Sequence, residues 1–206
     1  HNGIRSPKVQ LVSEELTMTE MAGQDILAEV LQRNSLLFQS PRETQETKDL
    51  PEGIQTCVEA STVQVFKTMC GIDLTRNERI DGRCEAFNFD ASGIVTITGA
   101  TQATVAVRFP KQLALACTNA LLGKTSDKIN EEVVDVIGEI ANMVVGGAKE
   151  RFAAPNLTLG LPLVVTGSGH RVLMPPQVNI LSSLFSSASG DCIVEIGIKP
   201  SADSRE

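Results

Sequence analysis

Hydrophobic positions along the chain follow helical spacing in some stretches and extended spacing in others. A first helical pattern runs from about Pro51 to Cys70, and a second, KQLALACTNALLG, ends at Gly123. Gly71 and Gly123 each follow the last position of their pattern, where glycine is favoured because it tolerates the left-handed conformation that ends many helices. The pattern therefore predicts two helices, each ended by a glycine.

Three short stretches between these helices have the composition of strands. They are CEAFNFD, GIVTITGA and ATVAVRFP, which are rich in Val, Ile, Thr and Phe and are separated by turn residues at 90–93 and 99–102. Sequential antiparallel pairing is the simplest arrangement for strands joined by such short turns. We expect a three-stranded meander here.

The second half of the chain has a similar order of elements. A longer helical pattern, SDKINEEVVDVIGEIANMVVGGAKERF, opens on a Ser/Asp cap with acidic residues in its first turns. Three strand-like segments follow, in LTLGLPLVVTGSG, VNILSSLFSSA and CIVEIGIKP. A two-fold internal repeat would explain this order. We predict an α/β (α+β) fold, with antiparallel meander sheets from an αβββα-type pseudo-repeat and long helices packed on one face.

Residues 1–50 differ from the rest of the chain. The segment VSEELTMTEMAGQDILAEVLQRNSLLF has a helical pattern, and polar QSPRETQETKDLPEG follows it. The apolar side of that pattern is formed by Ile26, Leu27, Val30 and Leu31. We predict a helical appendage and linker at 1–50, one domain at 51–200 and a tail at 201–206, because 206 residues suit one sizeable core.

Charge and composition narrow the classes of function. The net charge of -7 repels phosphate backbones, so nucleic acid is not expected as a partner. No run of about 18 apolar residues and no signal-peptide pattern is present, which predicts neither a membrane span nor export. Two histidines and no CxxC pair argue against a zinc site. The number of cysteines is odd, and each lies in an apolar or strand-like context, which favours a reducing, cytoplasmic location. The five are Cys57, Cys70, Cys84, Cys117 and Cys192.

The most informative segment is the long helical pattern at residues 131–150. Counted at about 100° per residue, four apolar positions fall within about 40° of one another: Val133, Ile137, Ile140 and Val144. The opposite side carries Asp135, Glu139, Asn142 and Gly146. A solvated helix face is usually wider and richer in Lys and Glu. Because Gly138 and Gly146 lack side chains that would block contact, this narrow polar stripe suggests docking onto a partner.

The spacing of these polar residues resembles a known signature. Asp135, Glu139 and Asn142 form D-x-x-x-E-x-x-N, and GGAK and Pro162 follow, the latter 20 residues after Asn142. This resembles the motif of the CheC/CheX/FliY response-regulator phosphatases. The helix EASTVQVFKTMCGIDL and the strands SGIVTITGA and ATVAVRFP also resemble CheX. The resemblance covers about residues 51–200, and the chain is identified as a CheX-like member of that family.

The resemblance implies hydrolysis of the aspartyl-phosphate of a CheY-like response regulator, in chemotaxis or a related two-component pathway. Glu139 would bind the partner through its active-site lysine, Asn142 would orient the attacking water, and Asp135 would support them. Phosphoryl transfer from a reactive acyl phosphate needs an in-line water more than a strong base, and an amide can hold that water without changing protonation. No cofactor or metal of its own is implied, since the response regulator carries the Mg²⁺ and the phosphorylated Asp.

A second, incomplete copy of the motif lies in the first predicted helix. Glu59 and Thr62 have its spacing, with Thr in place of Asn. The resemblance implies that this is a degenerate half-site and that one site works, as in CheX. It also implies a homodimer joined through the sheets.

Other interpretations remain open. The polar stripe could be the solvated face of a core helix. The chain could be a non-catalytic interaction module that binds a receiver domain or itself, for which the long N-terminal segment is the motivation. An enzyme acting on a small phosphate ester is less favoured, because GGAK lacks phosphate-loop spacing and no nucleophile can be tied to His170, which we interpret as a turn residue.

Overall fold

The computed structural model describes residues 53–77, 87–152 and 156–200. The predicted appendage and linker, the tail and the start of CEAFNFD lie outside these ranges. The helices within them are α1 (Ile54–Cys70), α2 (Lys111–Leu122) and α3 (Glu131–Phe152). The strands there are β1 (Thr75–Arg76), β2 (Ala91–Gly99), β3 (Ala103–Phe109), β4 (Leu157–Leu159), β5 (Leu163–Thr166), β6 (Asn179–Ser186) and β7 (Cys192–Ile198).

Two of the helix ends that the sequence predicts are found in the structure. Gly71 and Gly123 adopt left-handed conformations, with φ of 65° and 63°, so both predicted glycine stops are confirmed. The start of α3 differs from the prediction. Its N-cap is Asn130, whose side-chain oxygen accepts the Val133 N–H at 3.1 Å, and not the Ser/Asp pair upstream.

The strands form one antiparallel sheet in the order β1-β6-β7-β3-β2-β4, with β5 also paired to β2. The predicted mixed fold of helices and antiparallel strands is therefore confirmed. Strands β3 and β7 form the centre of the sheet. Beside β7 lie its hairpin partner β6 and then the short strand β1, which comes from the first half of the chain. Beside β3 lie its hairpin partner β2 and then the short strand β4, which comes from the second half. The two-fold repeat itself stays a prediction.

The predicted turn at 90–93 was wrong, because β2 begins at Ala91. Gly93 lies inside the strand where α3 crosses it. A Cβ at Gly93 would come within 2.6 Å of the Ala141 Cβ and 2.9 Å of the Ile137 carbonyl oxygen. This glycine therefore serves close helix–sheet packing and not a turn. Phe87–Phe89, at the end of the first predicted strand, are not in a strand.

The segment LTLGLPLVVTGSG forms two strands on the same neighbour. Leu159 pairs with Ile97 and Leu163 pairs with Ile94, so four steps along this segment match three steps along β2. The extra residue makes a β-bulge at residues 160–162. Because side chains alternate along a strand, the bulge turns Val164, in place of Leu163, toward α3.

An aliphatic core fills the space between the helices and one face of the sheet. Large residues without exposed surface from both sides meet there, among them Val95, Val105, Phe109, Leu113, Ile137 and Ile140. A smaller cluster lies on the opposite face and contains Phe89, Leu184 and Ile193, with Phe87 packed against it. The main core fixes α3 against β2 and thereby positions the polar stripe.

Candidate functional site

The polar stripe lies on the outer side of α3, as its spacing predicts. Val133, Ile137, Ile140 and Val144 are all fully buried. Asp135 and Glu139 are exposed, and Asn142 is half-buried. None of these three polar side chains forms a hydrogen bond or ion pair with another described residue. Within this part of the chain their hydrogen-bonding groups are therefore available to solvent or to another molecule.

Asn142 borders an open cleft between α1 and α3. The polar residues lining this cleft are Ser61, Gln64 and Thr68 of α1 and Asn142, Glu150 and Arg151 of α3. Leu159 of β4 also lines it, and Arg151 donates a hydrogen bond to Gln64 across it. The amide of Asn142 thus lies at an accessible concave surface with mixed polar and apolar walls.

Close packing against α1 fixes the position of α3 beside this cleft. The Ser61 hydroxyl donates a hydrogen bond of 2.7 Å to the carbonyl oxygen of Val144. A Cβ at Gly147 would lie 2.5 Å from that hydroxyl oxygen. The helices can approach this closely because position 147 has no side chain. The stripe is consequently held on a rigid element, as a site that positions a partner requires.

The two glycines of the predicted docking stripe have different surroundings. Gly138 is buried, and its Cβ position lies 3.4 Å from Val164 and 3.8 Å from Pro162. The surface that approaches Gly138 is therefore the chain's own β5 and bulge, contrary to the expectation that a partner does so. A Cβ at Gly146 would meet nothing within 4 Å, and Gly146 lines the cleft with Asn142. Only Gly146 keeps open space for an approaching surface.

The predicted second half-site on α1 is held by internal contacts. Glu59 accepts a hydrogen bond of 2.7 Å from Ser183 and lies 3.1 Å from Arg76, with 16% of its side chain exposed. Thr62 has no exposed surface, and its hydroxyl donates to the Val58 carbonyl at 2.8 Å. Neither side chain is exposed in the way that Glu139 is.

Sequence reasoning missed a polar cluster on the sheet face opposite α3. His170 Nε2 lies 2.7 Å from Ser92 Oγ, and its Nδ1 lies 2.7 Å from the Gly167 carbonyl oxygen. Arg108 donates to the His170 carbonyl at 3.1 Å and forms an ion pair with Glu195 at 3.3 Å. Ser92 has no exposed surface, and His170 is half-buried. Strand alternation from Gly93 puts Ser92 on that face, but nothing local indicates His170, 78 residues away.

Two further properties concern the described ranges. No three His, Cys, Asp or Glu side chains among residues 53–77, 87–152 and 156–200 are grouped so that they could hold a metal ion. No helix in those ranges has the length and apolar character needed to cross a membrane.

Comparison with known proteins relates this chain to CheX and CheC-like proteins. The sequence model of the family described as chemotaxis phosphatase CheX matches residues 91–186. The crystal structure of chemotaxis protein CheX from Vibrio vulnificus is 31% identical, with a TM-score of 0.68 over 74% of this chain and 100% of that one. A CheC-like protein from Shewanella sp. PV-4 is 27% identical, with a TM-score of 0.67 over 73% and 99% of the two chains.

A more distant likeness concerns a complex. The CheX–CheY–BeF3–Mg²⁺ complex from Borrelia burgdorferi contains a chain that is 15% identical, with a TM-score of 0.58, over 71% of this chain and 97% of that one. At this identity the likeness shows the fold alone. No curated protein sequence gives a significant match.

Proposed function

The chain belongs to the CheX family of chemotaxis phosphatases, and from that membership we propose that it hydrolyses the aspartyl-phosphate of a CheY-like response regulator. One observation carries the proposal. Glu139 and Asn142 stand on the outer side of α3 with side chains that are uncommitted within the described residues. The Asn142 amide also borders the open cleft between α1 and α3, where another molecule can reach it.

The helical spacing suits these residues to act together. Residues three apart on a helix have Cβ atoms about 5–6 Å apart on one face. The Glu139 carboxylate and the Asn142 amide can therefore enter one active site on a partner. Burial of Ile140 and Val144 on the other side of α3 keeps that face fixed.

Each side chain has a distinct role in the proposed reaction. The Glu139 carboxylate accepts hydrogen bonds from a lysine of the receiver and so fixes the two proteins in register. The Asn142 amide accepts from and donates to one water, aligning it with the phosphorus–oxygen bond that breaks. The transition state is loose, so alignment matters more than removal of a proton. Asp135, one turn before Glu139, adds negative charge that attracts the lysine.

The receiver supplies the remaining parts of the site. It carries the phosphorylated aspartate and the Mg²⁺, so we propose that this chain needs no cofactor of its own. The named Borrelia burgdorferi complex contains CheX, CheY, BeF3 and Mg²⁺. By the same family analogy we propose a cytoplasmic reaction and a homodimer.

The test is the decay rate of a phosphorylated CheY-like receiver from the same genome. We expect wild type to accelerate decay and Asn142→Ala to lose about a hundredfold of the acceleration, equivalent to about 2.7 kcal/mol. Gln112→Ala, which removes an exposed amide from α2, is the matched control and should retain full activity. Acceleration by neither wild type nor control, with every receiver of that genome, would leave a non-catalytic binding module as the function.

A further inference from the structure

Leu161 is an exposed apolar residue held in a defined position. It is 93% exposed, the highest fraction among large hydrophobic side chains in the described part of the chain. If a partner covered this side chain, almost all of its surface would leave water, which would stabilise the complex. Leu161 lies in the β-bulge at residues 160–162, next to the edge of the sheet formed by β4 and β5.

The bulge is fixed on both sides of Leu161. The Gly160 N–H donates to the Thr96 carbonyl at 2.8 Å, and a Cβ at Gly160 would lie 2.4 Å from the Thr96 hydroxyl oxygen. On the other side, Pro162 packs 3.8 Å from the Cβ position of Gly138 on α3. The proline also restricts the backbone of Leu161 to extended conformations. The backbone at Leu161 is thus held in place before binding, so that binding there would order only the side chain.

The bulge lies beside the polar stripe. Gly138, which Pro162 contacts, precedes Asn142 by one helical turn, about 6 Å. A specific protein–protein interface covers about 800 Å² per partner, which corresponds to a disc of about 16 Å radius. A partner centred on Glu139 and Asn142 would therefore reach Leu161.

We propose that Leu161 is the apolar anchor by which this chain binds the receiver domain whose aspartyl-phosphate it hydrolyses. This proposal rests on the proposed function, and it divides the surface into two tasks. The polar pair acts on the phosphorylated site, while Leu161 supplies affinity by entering an apolar depression beside that site. In many interfaces a few buried side chains carry most of the binding energy, and the proposal assigns Leu161 to that group.

The experiment compares Leu161→Ala with Leu163→Ala. Leu163 is also exposed, at 61%, but it pairs with Ile94 on the sheet face turned away from α3. We expect Leu161→Ala to raise the KM for the phosphorylated receiver about tenfold, the scale of one truncated anchor. Its kcat should stay within about twofold of wild type. Leu163→Ala should change neither constant, and neither variant should lose thermal stability.

A second measurement separates failure of this proposal from failure of the proposed function. The Kd of each variant is measured for the receiver activated with BeF3 and Mg²⁺, which requires no hydrolysis. If wild type binds without accelerating dephosphorylation, the phosphatase proposal fails, and a tenfold weaker Kd for Leu161→Ala still supports the anchor. An unchanged Kd, equal weakening by Leu163→Ala, or no binding by wild type overturns it. A loss of self-association with unchanged receiver binding also overturns it and assigns Leu161 to contact between copies of the chain.

Discussion

The Ser61 hydroxyl on α1 donates to the Val144 carbonyl on α3 at the point where Gly147 brings the two helices together. The bond joins residues 83 positions apart and lies less than one turn beyond Asn142. A carbonyl inside a helix already accepts from its own helix, so this second bond serves the helix pair and not α3 alone. The packing that holds the candidate site can therefore be tested without changing Asp135, Glu139 or Asn142.

A double-mutant cycle on Ser61 and Gly147 tests this packing. Gly147→Ala should destabilise the fold by about 1–3 kcal/mol, because the new methyl group would overlap the Ser61 hydroxyl. Ser61→Ala alone should cost about 1 kcal/mol for the lost hydrogen bond. In the Ser61→Ala background, Gly147→Ala should become nearly neutral, since its Cβ then meets only the Cβ of residue 61 at 3.6 Å. Urea unfolding of the four proteins measures the coupling, and strictly additive free energies would contradict the overlap.

Gly146→Ala should separate stability from binding. A Cβ at this helical position meets nothing within 4 Å, and alanine is preferred to glycine in helices by about 1 kcal/mol. We expect a higher unfolding midpoint in urea. If the receiver approaches α3 at this open position, the same change should raise the KM for the receiver several-fold. A stabilised variant with an unchanged KM would remove Gly146 from the docking surface.

Thr62→Asn should not create a second active site on α1. Thr62 has no exposed surface, so the two N–H groups of the amide would be buried in an apolar region. We expect a loss of about 1–3 kcal/mol in the free energy of unfolding and no gain in the rate of receiver dephosphorylation. Thr62→Val, which keeps the shape and removes only the hydroxyl, is the control. A rate gain that survives Asn142→Ala would show that α1 can present the motif after all.

Stability should fall in alkaline solution in part through Cys192. Burial raises the pKa of the Cys192 thiol, and the charge of Asp191 adds to the rise. In the unfolded chain the thiol ionises near its ordinary pKa of about 8.5. Its contribution is therefore fully present below about pH 8.5 and is lost as the pH rises toward the folded pKa, by about 1.4 kcal/mol per pH unit. Urea unfolding between about pH 8 and 10 under reducing conditions should give a shallower decline for Cys192→Ala than for wild type. Equal slopes would show that the folded thiol ionises normally.

The sequence predicted those features whose cause lies within a single helix. The left-handed glycines that end α1 and α2 could be found from sequence because a helix end needs little beyond its own last turn. The polar stripe of α3 could be found because helical periodicity alone separates Val133 and Ile137 from Glu139 and Asn142. Both predictions rest on residues that lie within, or directly after, a single helix.

Features set by distant contacts could not be predicted in this way. Gly93 has the local appearance of a turn residue, yet its role comes from Ile137 and Ala141 on α3. The bulge before Leu163 depends on how this segment pairs with β2, which lies about sixty positions earlier in the chain. The open space at Gly146 and the buried state of Gly138 likewise follow from which segments pass nearby, and sequence spacing treats the two glycines alike.

The strand order makes each half of the chain depend on the other. β1 precedes α2 but pairs with β6, and β4 follows α3 but pairs with β2. Each half of the chain thus adds a short outer strand to the hairpin of the other half. The central β3–β7 pair joins residues about ninety positions apart. A chain with so many non-local pairings should fold slowly and as one cooperative unit. Peptides cut between α2 and α3 should accordingly be unfolded when separate and should regain structure only when mixed, as complementing fragments.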